Sequence, residues 1–113
     1  MSVALRAARR HVNTFTDESE ILQDRQDDVD LQECEAFLQL GIDAFGWLVR
    51  AVETIRAAVY EGLLHDARSD EAIRELLVAW LWPCSRANRW IQSLPQAAAP
   101  ANLAEFRRCE REA

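Results

Sequence analysis

The most regular helical pattern in the chain runs from Asp30 to His65 and reads DLQECEAFLQLGIDAFGWLVRAVETIRAAVYEGLLH. Asp30 and Glu33 have the spacing of a capping box, which marks the start of a helix. Heptads counted from Leu31 place an uncharged residue at every a and d position, as in a helix of a bundle. The a positions are Leu31, Leu38, Phe45, Val52 and Val59, and the d positions are Cys34, Gly41, Leu48, Ile55 and Gly62. We therefore expect one helix over residues 31–65.

The length of that helix has a consequence for the shape of the protein. A helix over residues 31–65 is about 52 Å long, whereas a compact domain of 113 residues has a diameter of roughly 34 Å. Either the helix breaks at Gly41 and Gly46, or it continues straight and a second chain covers the overhang. The heptad keeps its phase through both glycines, which favours the straight helix.

A second helix is predicted over residues 70–93, because Ser69 or Asp70 can cap it and apolar residues keep three-four spacing from Ile73 to Leu94. The connection after His65 is short, so the two helices should pack antiparallel.

Shorter flanking helices are predicted over residues 3–12, 17–27 and 102–112. Asp17 with Glu20 can cap the second of these, and Asn102 can cap the third, which would bury Leu103 and Phe106. The sequence thus predicts a single all-α domain over residues 1–113. We expect a helical bundle built on a long antiparallel hairpin at residues 31–93.

Composition and charge narrow the classes of partner. The formal net charge is −6, and an acidic chain repels nucleic-acid phosphates, so we expect no nucleic-acid partner. The longest apolar run, residues 76–84, is too short to span a membrane. Three cysteines, Cys34, Cys84 and Cys109, are widely spaced and odd in number, which predicts neither a disulfide framework nor a zinc site. These features favour a soluble cytoplasmic protein.

An acidic segment lies between Asp17 and Glu35, where the sequence has nine acidic residues and one arginine, Arg25. Its spacing does not match a calcium-binding loop. Two interpretations remain open: a solvated helix face, or a docking surface for a basic partner, as in an acidic antitoxin or an immunity-type inhibitor. The candidate docking residues are Asp24, Asp27, Asp28, Asp30 and Glu33.

The sequence offers few groups for catalysis or metal binding. Glu61 and His65 stand four residues apart and could hold a metal with further ligands such as Asp43 or Glu53, but the chain has no Glu-x-x-His motif of the helical di-metal proteins. His65 is better explained as a cap at a helix C-terminus. Cys84 falls on the apolar stripe of its helix, which favours a buried structural thiol. We expect no catalytic residue, cofactor or metal.

The tryptophans give the strongest functional signal. Trp80 and Trp82 point about 200° apart on a helix, so one can face the core while the other faces away. Tryptophan and arginine are common at the energetic centres of protein interfaces. The predicted interface residues are Trp47, Trp80, Trp82, Arg86, Arg89 and Trp90. We therefore expect a non-enzymatic interaction module, a small adaptor, regulator or assembly subunit, that forms a homodimer.

Overall fold

The computed structural model describes residues 3–25, 29–62, 67–95 and 98–113. Its helices are α1 (Val3–Leu22), α2 (Leu31–Tyr60), α3 (Ala67–Ser93) and α4 (Leu103–Glu112), with a short 3-10 helix at Gln23–Arg25. No strand occurs in these four stretches, and the prediction of an all-α bundle is confirmed. None of the helices described here combines the length and the apolar character needed to cross a membrane.

Helix α2 begins where the capping box predicts, because the Asp30 carboxylate accepts a hydrogen bond of 2.8 Å from the Glu33 N–H. The helix continues unbroken through Gly41 and Gly46. It ends at Tyr60 rather than at residue 65, and Gly62 follows with a φ of 82°. A glycine at positive φ is a common way to end a helix. Gly62 is therefore a termination residue, not the close-packing d position that the heptad assigns to it; residues 63–66, including His65, lie outside the described residues.

The first part of the chain differs from the prediction, because one helix, α1, replaces the two expected over residues 3–12 and 17–27. Phe15 lies in the predicted gap and is fully buried. The Thr14 and Thr16 hydroxyls donate to backbone carbonyls one turn earlier, so both polar side chains fit within the helix. Burial of Phe15 outweighs the weak helix propensity of its threonine neighbours.

Helices α3 and α4 lie close to their predicted positions. α3 begins three residues before the predicted start and ends at Ser93 as expected. α4 begins at Leu103, but the Asn102 side chain makes no capping bond. Its amide instead donates to the Glu35 carbonyl at 3.0 Å, and the Glu35 carboxylate accepts from the Ala101 N–H at 3.0 Å. These bonds attach the start of α4 to the first turns of α2.

Contacts between the helices fix their directions. Phe37 of α2 packs against Trp90 of α3, and Phe45 packs against Trp80, so α2 and α3 pair in opposite sequence order. α1 also pairs with α2 in reverse order, because its Phe15 meets Phe37 and its earlier residue His11 meets Trp47. The chain therefore forms a bundle in which α1 and α3 both run opposite to α2.

Burial divides the α2–α3 pair into two parts. The last buried residue of α2 is Ala51, and the first buried residue of α3 is Leu76. We call residues 31–51 and 76–93, together with α1 and α4, the body, and residues 52–62 and 67–75 the tip. The molecule measures 52 × 24 × 17 Å. The elongated shape is that of a hairpin of which only one half is surrounded by other helices.

Candidate interaction surfaces

Trp80 lies at the centre of the body, so its place in the predicted interface is wrong. Its side chain is 0% exposed, and the rings of Phe45, Phe106 and Phe15 lie 5.2, 6.3 and 6.4 Å from it. The indole N–H donates to the Gly41 carbonyl at 2.8 Å. Trp80 therefore contacts all three other helices and cannot reach a partner.

Trp90 is also wrong as an interface residue. It is 2% exposed and meets the ring of Phe37 edge-on, with 4.8 Å between the centroids. The prediction placed Trp90 in one band with Trp82, Arg86 and Arg89. The helix instead turns Trp90 inward against the start of α2, because position 90 continues the buried row of α3.

Trp82 remains on the outer face of α3, where it is 62% exposed. Val78, one turn earlier on the same face, is 68% exposed. The Arg86 guanidinium carbon lies 5.7 Å from the Trp82 ring centroid, and the same guanidinium donates to the Gln23 side chain at 2.7 Å. Arg89 is exposed one turn further on. We call Val78, Trp82, Arg86 and Arg89 the Trp82 face.

Trp47 lies on a different side of the body, between α1 and α4. It is half-buried, stacks on His11 at 5.7 Å and lies under the Arg50 guanidinium at 4.8 Å. Together with Asp43, Glu105, Arg108 and other residues it lines a groove of about 720 Å³. Because Trp47 is on another face, the structure does not join it to Trp82 in one surface.

The acidic segment is partly used by the fold itself. Asp30 caps α2, and the Glu33 carboxylate binds Arg25 through two hydrogen bonds of 2.7 and 3.1 Å. Asp24 is exposed in the 3-10 helix. Asp27 and Asp28 lie outside the described residues. Docking of a basic partner on this segment stays a prediction, with Asp30 and Glu33 already engaged in the structure.

The described residues of the alternative metal site do not form a group of three ligands. Glu61 is exposed at the end of α2, and its backbone N–H donates to the Ala57 carbonyl. Asp43 accepts a hydrogen bond from Gln39 at 3.0 Å. Within the described stretches of the chain, no group of three metal-binding side chains occurs. His65 lies outside them.

The three cysteines are buried in the body as free thiols. Burial, together with the charge of Glu35, raises the pKa of Cys34 from 9.0 to about 11. Burial also raises the pKa of Cys84, with a smaller contribution from Glu110, and it raises that of Cys109. A thiol nucleophile needs a lowered pKa and access to solvent, so these surroundings suit structural thiols, as expected for Cys84.

Sequence reasoning missed a second groove, which lies at the tip between α2 and α3. Its volume is about 800 Å³. The lining residues are Val52, Ile55, Arg56, Val59, Tyr60, Asp70, Ile73 and Arg74. The heptad pattern could have indicated this groove, because Val52, Ile55 and Val59 occupy consecutive a and d positions. We call this space the tip groove.

No protein-family model, no curated protein and no solved structure matches this chain.

Proposed function

We propose that this chain is a cytoplasmic, non-enzymatic protein–protein interaction module that forms a homodimer through the Trp82 face. The observation that carries the proposal is the exposure of Trp82 beside Val78 on a helix whose opposite side is fully packed. Large apolar side chains placed together on a surface mark sites of association. Three free thiols support a reducing compartment.

The surroundings of Trp82 favour binding over simple exposure. The Arg86 guanidinium is held by two contacts, one with the Trp82 ring and one with the Gln23 side chain. A side chain that is already ordered loses less conformational entropy when a partner binds. Tryptophan and arginine are also the residues whose removal most often weakens an interface. Trp82 with Arg86 therefore forms a preorganised pair, with the ring suited to the centre of a contact and the guanidinium to its edge.

Symmetry supports a second copy as the partner. In a two-fold dimer the same patch of each copy contacts its counterpart on the other. The Trp82 face can place its apolar residues, Val78 and Trp82, around the two-fold axis. Arg86 and Arg89 then stay at the rim. Charged side chains at a rim remain hydrated and add little cost.

Light scattering coupled to size exclusion tests the proposal over a wide range of protein concentration. We expect a dimer for the wild type and at least about tenfold weaker dimerisation for Trp82→Ala, the range typical of a central interface residue. Tyr60→Ala is the matched control, because Tyr60 is an aromatic residue that is 95% exposed on the tip. A wild-type monomer at every concentration, or a dimer that Trp82→Ala leaves unchanged, contradicts the proposal.

A further inference from the structure

The tip groove continues a groove that the chain itself fills with a helix. At the start of α4, Asn102 donates to the Glu35 carbonyl. At its end, Glu112 and Ala113 lie beside Val52 and Ile73. α4 therefore runs in the same direction as α2, along the space between α2 and α3, and its last residues point toward the tip.

Past the last residues of α4, no part of the chain that the structure describes covers the space between α2 and α3. Four apolar side chains from both helices, Val52, Ile55, Val59 and Ile73, line the tip groove. Val52, Ile55 and Ile73 are half-buried, and Val59 is 46% exposed. The residues on α2 span two helical turns. The apolar surface of α2 and α3 that α4 covers in the body thus continues at the tip, where no described helix covers it.

Two arginines give this groove a definite charge. Arg56 of α2 and Arg74 of α3 line it, and neither forms an ion pair with any residue in the described part of the chain. Asp70, the one acidic residue among the described lining residues, already has an interaction partner. Among the described residues that line the groove, the charged side chains without an ion pair are thus the two arginines.

We propose that the tip groove binds an amphipathic helix of another protein, with its apolar face on Val52, Ile55 and Ile73 and acidic residues opposite Arg56 and Arg74. A helix is the occupant that this space already takes in the body, where α4 fills it. An extended strand would need unpaired backbone groups on the receiving edge, which the interiors of α2 and α3 do not offer. Carboxylates complement the two arginines and direct the partner's orientation.

The same charges argue against a second copy in this groove. A two-fold contact of tip with tip brings each lining residue close to the same set on the partner. Unlike the rim arginines of the Trp82 face, Arg56 and Arg74 line the groove itself, so a second copy would set them against further arginines within a small apolar contact, and like charges set against each other disfavour association. This inference rests on residues other than those of the Trp82 face, although Arg74 lies one turn before Val78 on α3, and it does not depend on the homodimer.

The test uses two fluorescein-labelled helical peptides of 15 residues with the same leucine stripe. One carries glutamates beside the stripe, and the other carries lysines at the same positions. Fluorescence anisotropy with the full chain should give at least about tenfold tighter binding of the glutamate peptide, falling with added salt. Arg56→Glu combined with Arg74→Glu should reverse this preference. Both arginines are exposed, so the double variant should fold, which circular dichroism verifies.

Control variants separate the groove from the rest of the surface. Arg89→Glu changes an exposed arginine on the outer face of α3 and should leave the peptide preference unchanged, as should Trp82→Ala. Ile55→Ala should weaken binding of the glutamate peptide. Equal affinity for the two peptides, or an unchanged preference in the double arginine variant, overturns the inference. A change of oligomeric state in the double arginine variant also overturns the inference, because that result identifies a second copy as the occupant of the tip groove.

Discussion

The body and the tip are built from the same two helices with the same apolar pattern, yet their side chains have different surroundings. In the body, Leu48 at a d position is buried, whereas in the tip the next d residue, Ile55, is only half-buried. The difference comes from α1 and α4, which cover the body and leave the tip open. A heptad therefore tells which side of a helix is apolar, and the rest of the chain decides how much of that side is covered.

The largest difference should appear when the two neighbouring tryptophans of α3 are compared. Trp80→Ala removes the centre of the body and leaves the Gly41 carbonyl without its indole donor, which should lower the free energy of unfolding by about 3–5 kcal/mol. Trp82→Ala should change it by less than about 0.5 kcal/mol. Urea unfolding followed by circular dichroism measures both. Similar losses in the two variants would mean that the body is not centred on Trp80.

A direct comparison of body and tip uses Leu48→Ala and Ile55→Ala, one heptad apart on α2. Leu48→Ala should cost about 2–5 kcal/mol, because it opens a cavity in a covered core. Ile55→Ala should cost clearly less, because solvent already reaches that side chain.

Hydrogen exchange sharpens this comparison without any substitution. Amides in the second half of α2, over residues 52–60, should exchange faster than those over residues 37–51, because fewer buried contacts oppose local opening. Equal protection along α2 would show that the tip is covered in solution, and a dimer or partner contact would then account for it.

The two glycines inside α2 should respond to alanine with opposite signs. A Cβ at Gly41 would lie 2.7 Å from Phe15 Cζ, whereas a Cβ at Gly46 meets no atom within 4 Å. Gly41→Ala should therefore cost about 1–3 kcal/mol through overpacking. Gly46→Ala should gain up to about 1 kcal/mol from helix propensity. Phe15→Leu should relieve part of the Gly41→Ala loss, and additive effects in that double variant would contradict the contact.

Ionisation of the three thiols should have the smallest effect on the free energy of unfolding at neutral pH. Burial raises the pKa of Cys34 to about 11, and it also raises the pKa values of Cys84 and Cys109. The folded chain therefore keeps thiol protons that the unfolded chain releases above pH 9. Stability should therefore be unaffected at pH 7 and should fall as the pH rises from about 9 toward 11.

Thiol labelling gives a second readout of the same difference. At pH 8, a disulfide reagent should react at least about 100-fold more slowly with the native thiols than with the cysteine that Ala57→Cys adds on the exposed tip. The native thiols are less ionised and less accessible, and both differences slow the reaction. Labelling of the three native cysteines at the rate of the added one would contradict their burial.

Local patterns predicted the helices well where tertiary contacts agree with them. The capping box predicted the start of α2, and the apolar spacing of α3 indicated its inner side, although Trp80 on that spacing was also assigned to the interface, which is wrong. The sequence could not reveal that the threonine-flanked segment around Phe15 is part of α1. The contacts of Phe15 that stabilise this helix are with Phe37 and Gly41, far along the chain. Nor could the sequence place Trp90, whose burial depends on the packing partner Phe37.

The surfaces were less predictable than the fold for a related reason. The charge count offered Asp30 and Glu33 as docking carboxylates, but Asp30 caps α2, as its spacing predicted, and Glu33 pairs with Arg25. The tip groove depends on how α2 and α3 pair past the body, which no periodicity within α2 can show. Arg56 and Arg74 become neighbours across that groove only when two separate helices pair.

The contrast between Trp80 and Trp82 also provides an optical report on the molecule. A buried, hydrogen-bonded indole and an indole open to water differ in emission wavelength and in their response to soluble quenchers. Iodide should reach Trp82 freely, the half-buried Trp47 only in part, and Trp80 and Trp90 not at all, so most of the quenched fluorescence follows coverage of the outer face of α3. The protected part follows the integrity of the four-helix body. The native chain thus carries separate, label-free signals for association and for folding.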